Sequence, residues 1–338
     1  MPRLTVARAR TLVVVTSDPA GPVVRHRVLA FREAAARAGI AIEVAAWGKP
    51  WLERRKVLER AEAAGHALVL SRLLRPADVD RLRVRVRRLL FDFDDALPYR
   101  DSARGATPSR TRIERFGAIV RAADAVTAGN AYLAGLAERA GVRATVLPTV
   151  VEVPDGPPTP EPPVPPPVVG WIGARATLGY LEGATVELAA LVAMGHPFRL
   201  RVVADVAPTM PPGIPVELVP WTAQGADAAL DGIHVGVAPL PDDAWTRGKC
   251  GLKVLQMLAR GRPVVASAVG VQSEQVRHGE TGVVARGGAE MVEGLLLLLR
   301  DPAARRRMGE AAREDVRARW SVAAWRDRVV AAWSSALA

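Results

Sequence analysis

The sequence predicts an α/β protein made of two doubly wound parallel sheets, and three observations lead there. Short apolar runs alternate with helical stretches along the whole chain, the pattern of parallel strands joined by crossover helices. The alternation is interrupted once, at the proline-dense residues 154–167. A length of 338 residues carries a prior of about two domains, and 49% hydrophobic residues can fill two cores.

Taken in order, strands are expected at 12–15, 42–46, 67–70, 89–93, 125–127 and 145–147, with helices between them such as 28–38 and 113–123. A second series follows at 168–172, 198–203, 216–219, 235–238, 264–266 and 283–284. The run at 264–266 is apolar throughout, as in a strand buried on both faces. Right-handed crossovers place the loops at the strand C-termini, where such sheets bind ligands. Residues 154–167, PDGPPTPEPPVPPP, show neither helical nor alternating periodicity and read as a stiff, extended spacer. A proline-rich ligand for a partner is the other reading. The expected division is therefore 1–153, a linker at 154–167, 168–319, and an end segment 320–338. In that end segment Trp325, Val329 and Trp333 recur at helical spacing.

A single cysteine, Cys250, excludes a disulfide framework and fits a reducing compartment. No apolar run approaches the roughly 20 residues that span a bilayer. The run at 295–299 reads as a buried helix face. Basic residues precede 12–15, but that run is too short for a signal peptide. These features predict a cytoplasmic protein. Residues 1–155 hold 27 Lys and Arg against 17 Asp and Glu, and the remainder 19 against 18, so almost all of the net +11 lies in the first half. That asymmetry predicts an anionic ligand for the first half, or a lipid-linked one reached by peripheral association with the inner face of a membrane. Arginine-favouring coding is the alternative. Nucleic acid is not an expected partner: aromatics are 5%, and no helix-turn-helix or zinc-finger pattern is present. The five histidines are scattered and give no metal-ligand spacing.

Residues 248–285 carry the most chemistry. Leu252, Leu255, Leu258 and Ala259 have helical spacing. Gly261 and Pro263 stop that helix, a strand follows, and Gly270 precedes a helix start near Ser273. A strand, a glycine turn and a helix N-terminus make an anion site. Lys249 and Lys253 lie four apart and are expected to share a helix face. Together these point to a diphosphate.

This segment resembles the donor-binding core of retaining glycosyltransferases with the GT-B fold, of family 4 type (the group 1 glycosyltransferases). The matching elements are Ala259, Gly261, Pro263 to Ser267, Val269 and Gly270, Glu274, and His278 to Gly282. VVGWIGARATLGYLEGA at 168–184 and GVAPLPDDAWTRGKCGLK at 236–253 also resemble that family. Residues 25–40, 89–97 and 126–141 do so more weakly. The resemblance implies two Rossmann-like domains facing across a cleft, acceptor on the first and nucleotide-sugar on the second, with the last helix crossing back. It also implies metal-independent sugar transfer with retention, a nucleotide-sugar as co-substrate and no separate cofactor. The leaving phosphate would then take the acceptor's proton. A nucleotide-sugar epimerase and a catalytically silent scaffold subunit of the same fold remain open.

The resemblance places Gly173, Arg175, Gln256, Val269, Gly270, Val271 and Glu274 on the donor. Two departures matter. The family's two donor-helix glutamates fall at Gly248 and Gln256, with the Asp242–Asp243 pair as a substitute sugar contact. The lysine expected after Arg175 is missing from 174–197, which leaves Arg247, Lys249 and Lys253 to hold the diphosphate. Asp92, Asp94 and Asp95 end an apolar strand. Asp94 and Asp95 are candidates to orient acceptor or sugar, against a helix cap or a metal site. Arg25, His26 and Arg27 follow the Gly21-Pro22 turn and read either as acceptor or phosphate contacts or as a solvated helix start. Cys250 reads as packing, and Trp221 as core rather than a base-stacking ring.

Overall fold

The computed structural model describes residues 10–163, 165–222 and 225–338. The basic residues at the start of the chain, and position 164 of the proline segment, lie outside them. The chain divides into two compact units. Unit 1 runs to Val150 and includes Gly248–Cys250 and Trp325–Ala338; unit 2 is Val151–Arg247 with Gly251–Ala324.

Unit 1 contains β1 (Arg10–Thr16), α1 (Pro22–Arg27), α2 (Arg32–Arg37), β2 (Ile40–Ala46), α3 (Trp51–Ala64), β3 (His66–Leu70), α4 (Pro76–Arg83), β4 (Arg88–Phe93), α5 (Arg110–Ala122), β5 (Ala125–Ala128), α6 (Ala131–Arg139) and β6 (Thr145–Val146). The strands are parallel in the order β2-β1-β3-β4-β5-β6. Leu12, Val13, Val14 and Val15 are buried on both faces of the sheet, which explains their unbroken apolar run. Phe91 and Phe93, two residues apart in β4, share a face and stack at 5.2 Å, with Phe116 of α5 edge-on to both.

Unit 2 contains β7 (Val168–Ile172), α7 (Arg175–Glu182), α8 (Thr185–Ala193), β8 (Arg199–Ala204), β9 (Val216–Pro220), α9 (Ala226–Asp231), β10 (Val235–Ala238), α10 (Leu252–Ala259), β11 (Val264–Ser267), α11 (Gln272–Gln275), β12 (Gly282–Ala285), α12 (Gly288–Arg300) and α13 (Pro302–Arg319). Its parallel order is β12-β11-β10-β7-β8-β9. Each sheet reverses direction of growth at its first strand, β1 or β7, as a doubly wound sheet does. Two apolar clusters sandwich the second sheet. One joins α9, α10 and α13, and the other joins α7, α8 and α12. In α12, Leu295 and Leu298 are buried and Leu297 is exposed, so the leucine run is one face of an amphipathic helix.

All twelve expected strands are present, and three details differ. The helix expected at 28–38 starts at Pro22, breaks at Val28 (φ −129°, ψ −59°) and resumes as α2. Proline at the first helical position favours that earlier start. The proline segment is a strap rather than a spacer. Its prolines lack backbone N–H groups but the segment offers carbonyls, and arginines of unit 2 take them. Arg262 donates to the Thr159 carbonyl at 2.8 Å, Arg313 donates to that of Pro154, and Arg305 holds Glu161 through two bonds of 2.9 and 3.0 Å. His234 completes the strap: its Nδ1 accepts from the Val168 N–H at 3.0 Å, so Nε2–H donates to the Pro162 carbonyl at 3.0 Å. Trp221 is 36% exposed and is not core.

The last helix, α14 (Val322–Ala336), carries Val329 and Trp333 into the core of unit 1, where Trp333 lies edge-on to Phe31 at 6.1 Å. Among the described residues no single helix is long and apolar enough to cross a membrane.

Candidate functional site

Functional groups gather in each unit at the C-terminal ends of its strands. In unit 1 the centre is the end of β4. Asp92 faces Arg27, which holds it through Nε at 2.5 Å and Nη2 at 2.6 Å, while Thr127 of β5 donates to it at 2.5 Å. Arg27 also donates to the Thr149 hydroxyl and the Leu147 carbonyl. Burial alone would lower the Arg27 pKa, but the Asp92 charge and hydrogen bonds outweigh it and raise the value further. Arg27 is thus a buried cross-brace, not a solvated or acceptor-facing group. Arg25 is exposed and His26 half-buried on the same helix.

Two residues further on, Asp94 accepts from the Ser71 hydroxyl, and its own N–H donates back to Ser71 Oγ at 3.1 Å. Ser71 follows β3 with φ +45°, a conformation that non-glycine residues seldom adopt. The seryl–aspartyl exchange compensates that strain. Burial first, and then the charge of Asp95, push the Asp94 carboxyl up to about 6. Nothing in the sequence singled out Ser71, whose role depends on β3 and β4 being neighbours.

Residues 248–250 are seated in the same place. Asn130 caps α6 by accepting from the Leu133 N–H at 2.9 Å, and its amide donates to the carbonyls of Gly248 at 3.2 Å and Lys249 at 3.3 Å. Lys249 Nζ is 2.8 Å from Asp95 Oδ1. Cys250 is buried against Gly129, and its thiol donates to the Asp94 carbonyl at 3.3 Å. Burial and the nearby Asp94 charge push that thiol well above its usual value, which favours the neutral, packed form. A Cβ on Gly248 would sit 2.7 Å from the Ala96 Cβ and 3.0 Å from the Ala96 nitrogen. A glutamate does not fit there, which explains the departure at this position.

The shared helix face expected for Lys249 and Lys253 does not exist. Gly251 adopts φ +65° and caps α10, which begins only at Leu252. Lys253 alone is on α10, and its ammonium reaches the first turn of α7, the segment from which the expected lysine is missing. It donates to Thr177 there at 2.6 Å and lies 4.3 Å above the Trp171 ring. A side chain at Gly173 would occupy the place of the Lys253 ammonium and the Trp171 ring. Arg175, the first residue of α7, has a side chain 73% exposed and 3.7 Å from Asp205. One lysine and one arginine therefore flank the α7 N-terminus, where the Arg175 N–H already donates to Asp205 at 3.1 Å.

Gly270 has φ +54°, and a Cβ there would meet the Arg247 carbonyl oxygen at 2.7 Å, so its close approach is to the chain's own backbone. Val269 and Val271 flank it and are buried. Arg247 is held by Asp242 through bonds of 2.6 and 3.0 Å. Asp243 accepts from the N–H groups of Trp245 and Thr246, a local turn rather than a sugar contact. Glu274 is exposed on α11, a single turn that begins at Gln272, and Gln256 is half-buried on α10. Among the described residues no three His, Cys, Asp or Glu side chains gather as a metal set.

Residues 244–315 match the family model "Glycosyl transferases group 1". A 67-residue stretch is 42% identical to trehalose synthase from Pyrococcus horikoshii, covering 20% of this chain and 16% of that one. The chain thus matches only a small part of that curated relative. The whole fold is similar to sucrose-phosphate synthase from Thermosynechococcus elongatus, with TM-score 0.70, 18% identity and coverage of 96% and 98%. It is also similar to HepE from Anabaena, solved in complex with UDP and glucose, with TM-score 0.69, 14% identity and coverage of 97% and 100%. The chain therefore has the fold of the GT-B glycosyltransferases and carries, at 244–315, the signature of their group 1 superfamily.

Proposed function

We propose that the protein is a retaining glycosyltransferase that moves a sugar from a nucleotide-sugar held by unit 2 to an anionic or lipid-linked acceptor held by unit 1. The observation that carries this reading is the Lys253 ammonium at the first turn of α7 beside Gly173 and Arg175. Transfer breaks the bond from the sugar's anomeric carbon to the diphosphate and forms one to an acceptor oxygen on the same face. The acceptor's proton passes to the departing phosphate oxygen. Negative charge grows on the diphosphate, and two cations with a helix N-terminus stabilise it as it develops. On this reading no metal ion is needed. Gly270, Val269 and Val271 supply backbone, and Gln256 and Glu274 supply polar contacts to ribose and sugar. Arg247 is a weaker candidate because Asp242 already neutralises it. In unit 1, Asp94 and Asp95 orient the acceptor, with Lys249 fixing Asp95. The complexes of HepE with UDP and UDP-glucose support a uridine donor.

A second reading, a nucleotide-sugar-binding protein without transfer, is favoured by Gly248, where the family's first glutamate is missing and a side chain would displace Ala96. Thermal stabilisation by a panel of nucleoside diphosphates and their sugars, with magnesium and with chelator, tests donor binding. Release of free sugar or transfer product separates the two readings. Stabilisation by one diphosphate, lost in Lys253→Ala, supports the donor site. Stabilisation by none of the panel overturns both.

A further inference from the structure

A cavity of about 730 Å³ opens in unit 2 at the C-terminal ends of β10, β11 and β12. It lies on the sheet face covered by α7, α8 and α12, with Val269 in its wall; Lys253 and Gln256 belong to α10 on the opposite face, from which Lys253 reaches the first turn of α7. The volume is that of a small-molecule site. Its wall combines apolar surface from Leu240, Pro241 and Met291 with the carboxylate of Glu187 and the exposed Arg286, while the Asp242 carboxylate at its edge is held by Arg247. Glu187 Oε2 is buried and has no hydrogen-bond partner among the described residues, an acceptor that a ligand could satisfy. Two wall positions are kept open by glycine: a Cβ on Gly179 or on Gly287 would touch nothing within 4 Å.

We propose that this cavity binds a neutral saccharide at a site adjoining that of the donor, the two meeting at Val269. Sugars present hydroxyl donors along their edges and C–H patches on their faces, which suits the Glu187 carboxylate set among aliphatic side chains. An anion suits the cavity less well, although Gly288 opens α12 there. A carboxylate oxygen of Glu187 already lies against Gly288, and the Arg286 guanidinium is 3.9 Å from the carboxylate of Glu290 on α12.

The test is ligand-observed NMR on the full chain with glucose, maltose and trehalose as probes, repeated with saturating UDP-glucose. The expected result is saturation transfer to at least one sugar, unaffected by UDP-glucose and retained in Lys253→Ala. Gly179→Trp fills the open wall and should abolish the signal. Glu187→Gln keeps the shape and should weaken binding by about tenfold, the loss expected of a charged hydrogen bond. Gly287→Phe is the second blocking variant should Gly179→Trp not fold. Three results overturn the proposal: no transfer to any sugar, competition by UDP-glucose, or binding unchanged in both blocking variants. Nucleotide stabilisation measured on the same samples shows separately whether the donor site exists.

Discussion

Lys249 Nζ lies 2.8 Å from Asp95 Oδ1 in unit 1, while Lys253, four residues later, hydrogen-bonds Thr177 within unit 2. One left-handed glycine, Gly251, separates the two lysines and sends them to different partners. Lys253→Ala should weaken nucleoside diphosphate binding by tenfold or more, since a charge-assisted contact is worth about 1.5–3 kcal/mol. Lys249→Ala should leave that affinity within about threefold and reduce turnover instead. Calorimetric titration beside initial-rate assays checks the split.

The two missing glutamates should respond differently to restoration. Gly248→Glu forces a side chain onto Ala96 and should destabilise the fold by about 1–3 kcal/mol, read as a lower urea midpoint with unchanged slope. Gln256 is half-buried at a site that already holds a long side chain, so Gln256→Glu should stay within about 0.5 kcal/mol of the parent. A comparable loss in both variants would contradict the packing explanation.

Asp94 predicts a pH dependence of stability. Its folded pKa is raised above the unfolded value, so the native state holds the extra proton between about pH 4 and 6. Its contribution is therefore most favourable at acid pH and is lost as pH rises through that window. Asp94→Asn should remove the effect and gain on the parent by an amount on the order of 2 kcal/mol between pH 4 and 7. Denaturant melts at several pH values measure the difference.

His234 has the opposite sign. Burial holds its folded pKa below the usual value, and protonation at Nδ1 would break the bond from the Val168 N–H. The unfolded chain takes the proton first, so the contribution is full above about pH 6.5 and lost as pH falls below it. His234→Ala should cost about 2–4 kcal/mol at neutral pH by orphaning the Val168 N–H and Pro162 carbonyl and opening a cavity. Faster proteolysis within the strap at 154–163 would accompany it.

Arg27→Ala leaves Asp92 buried without its countercharge and should cost about 3–5 kcal/mol. The paired replacement Arg27→Met with Asp92→Leu should recover much of that loss, because removing both charges removes the desolvation penalty. Thermal unfolding of the three variants decides it.

The twelve strands, the alternation that builds each sheet and the group 1 resemblance of residues 248–285 are all legible in the chain alone. Those are local matters: a run such as Val264-Val265-Ala266 has few alternatives to a buried strand, and Gly261 followed by Pro263 leaves the helix no way to continue. The partners of the charged groups were settled by folding. Arg27 looked like a helix-start cation until β4 brought Asp92 beneath it, and the proline segment looked like a spacer until four side chains of unit 2 took its carbonyls and its Glu161. Helical periodicity put Lys249 beside Lys253, but a positive φ at Gly251 overrode it. Side-chain charge is recorded in the sequence, whereas its compensation comes from residues as far as 154 positions away, as for Lys249 and Asp95, and is set by which strands and helices meet.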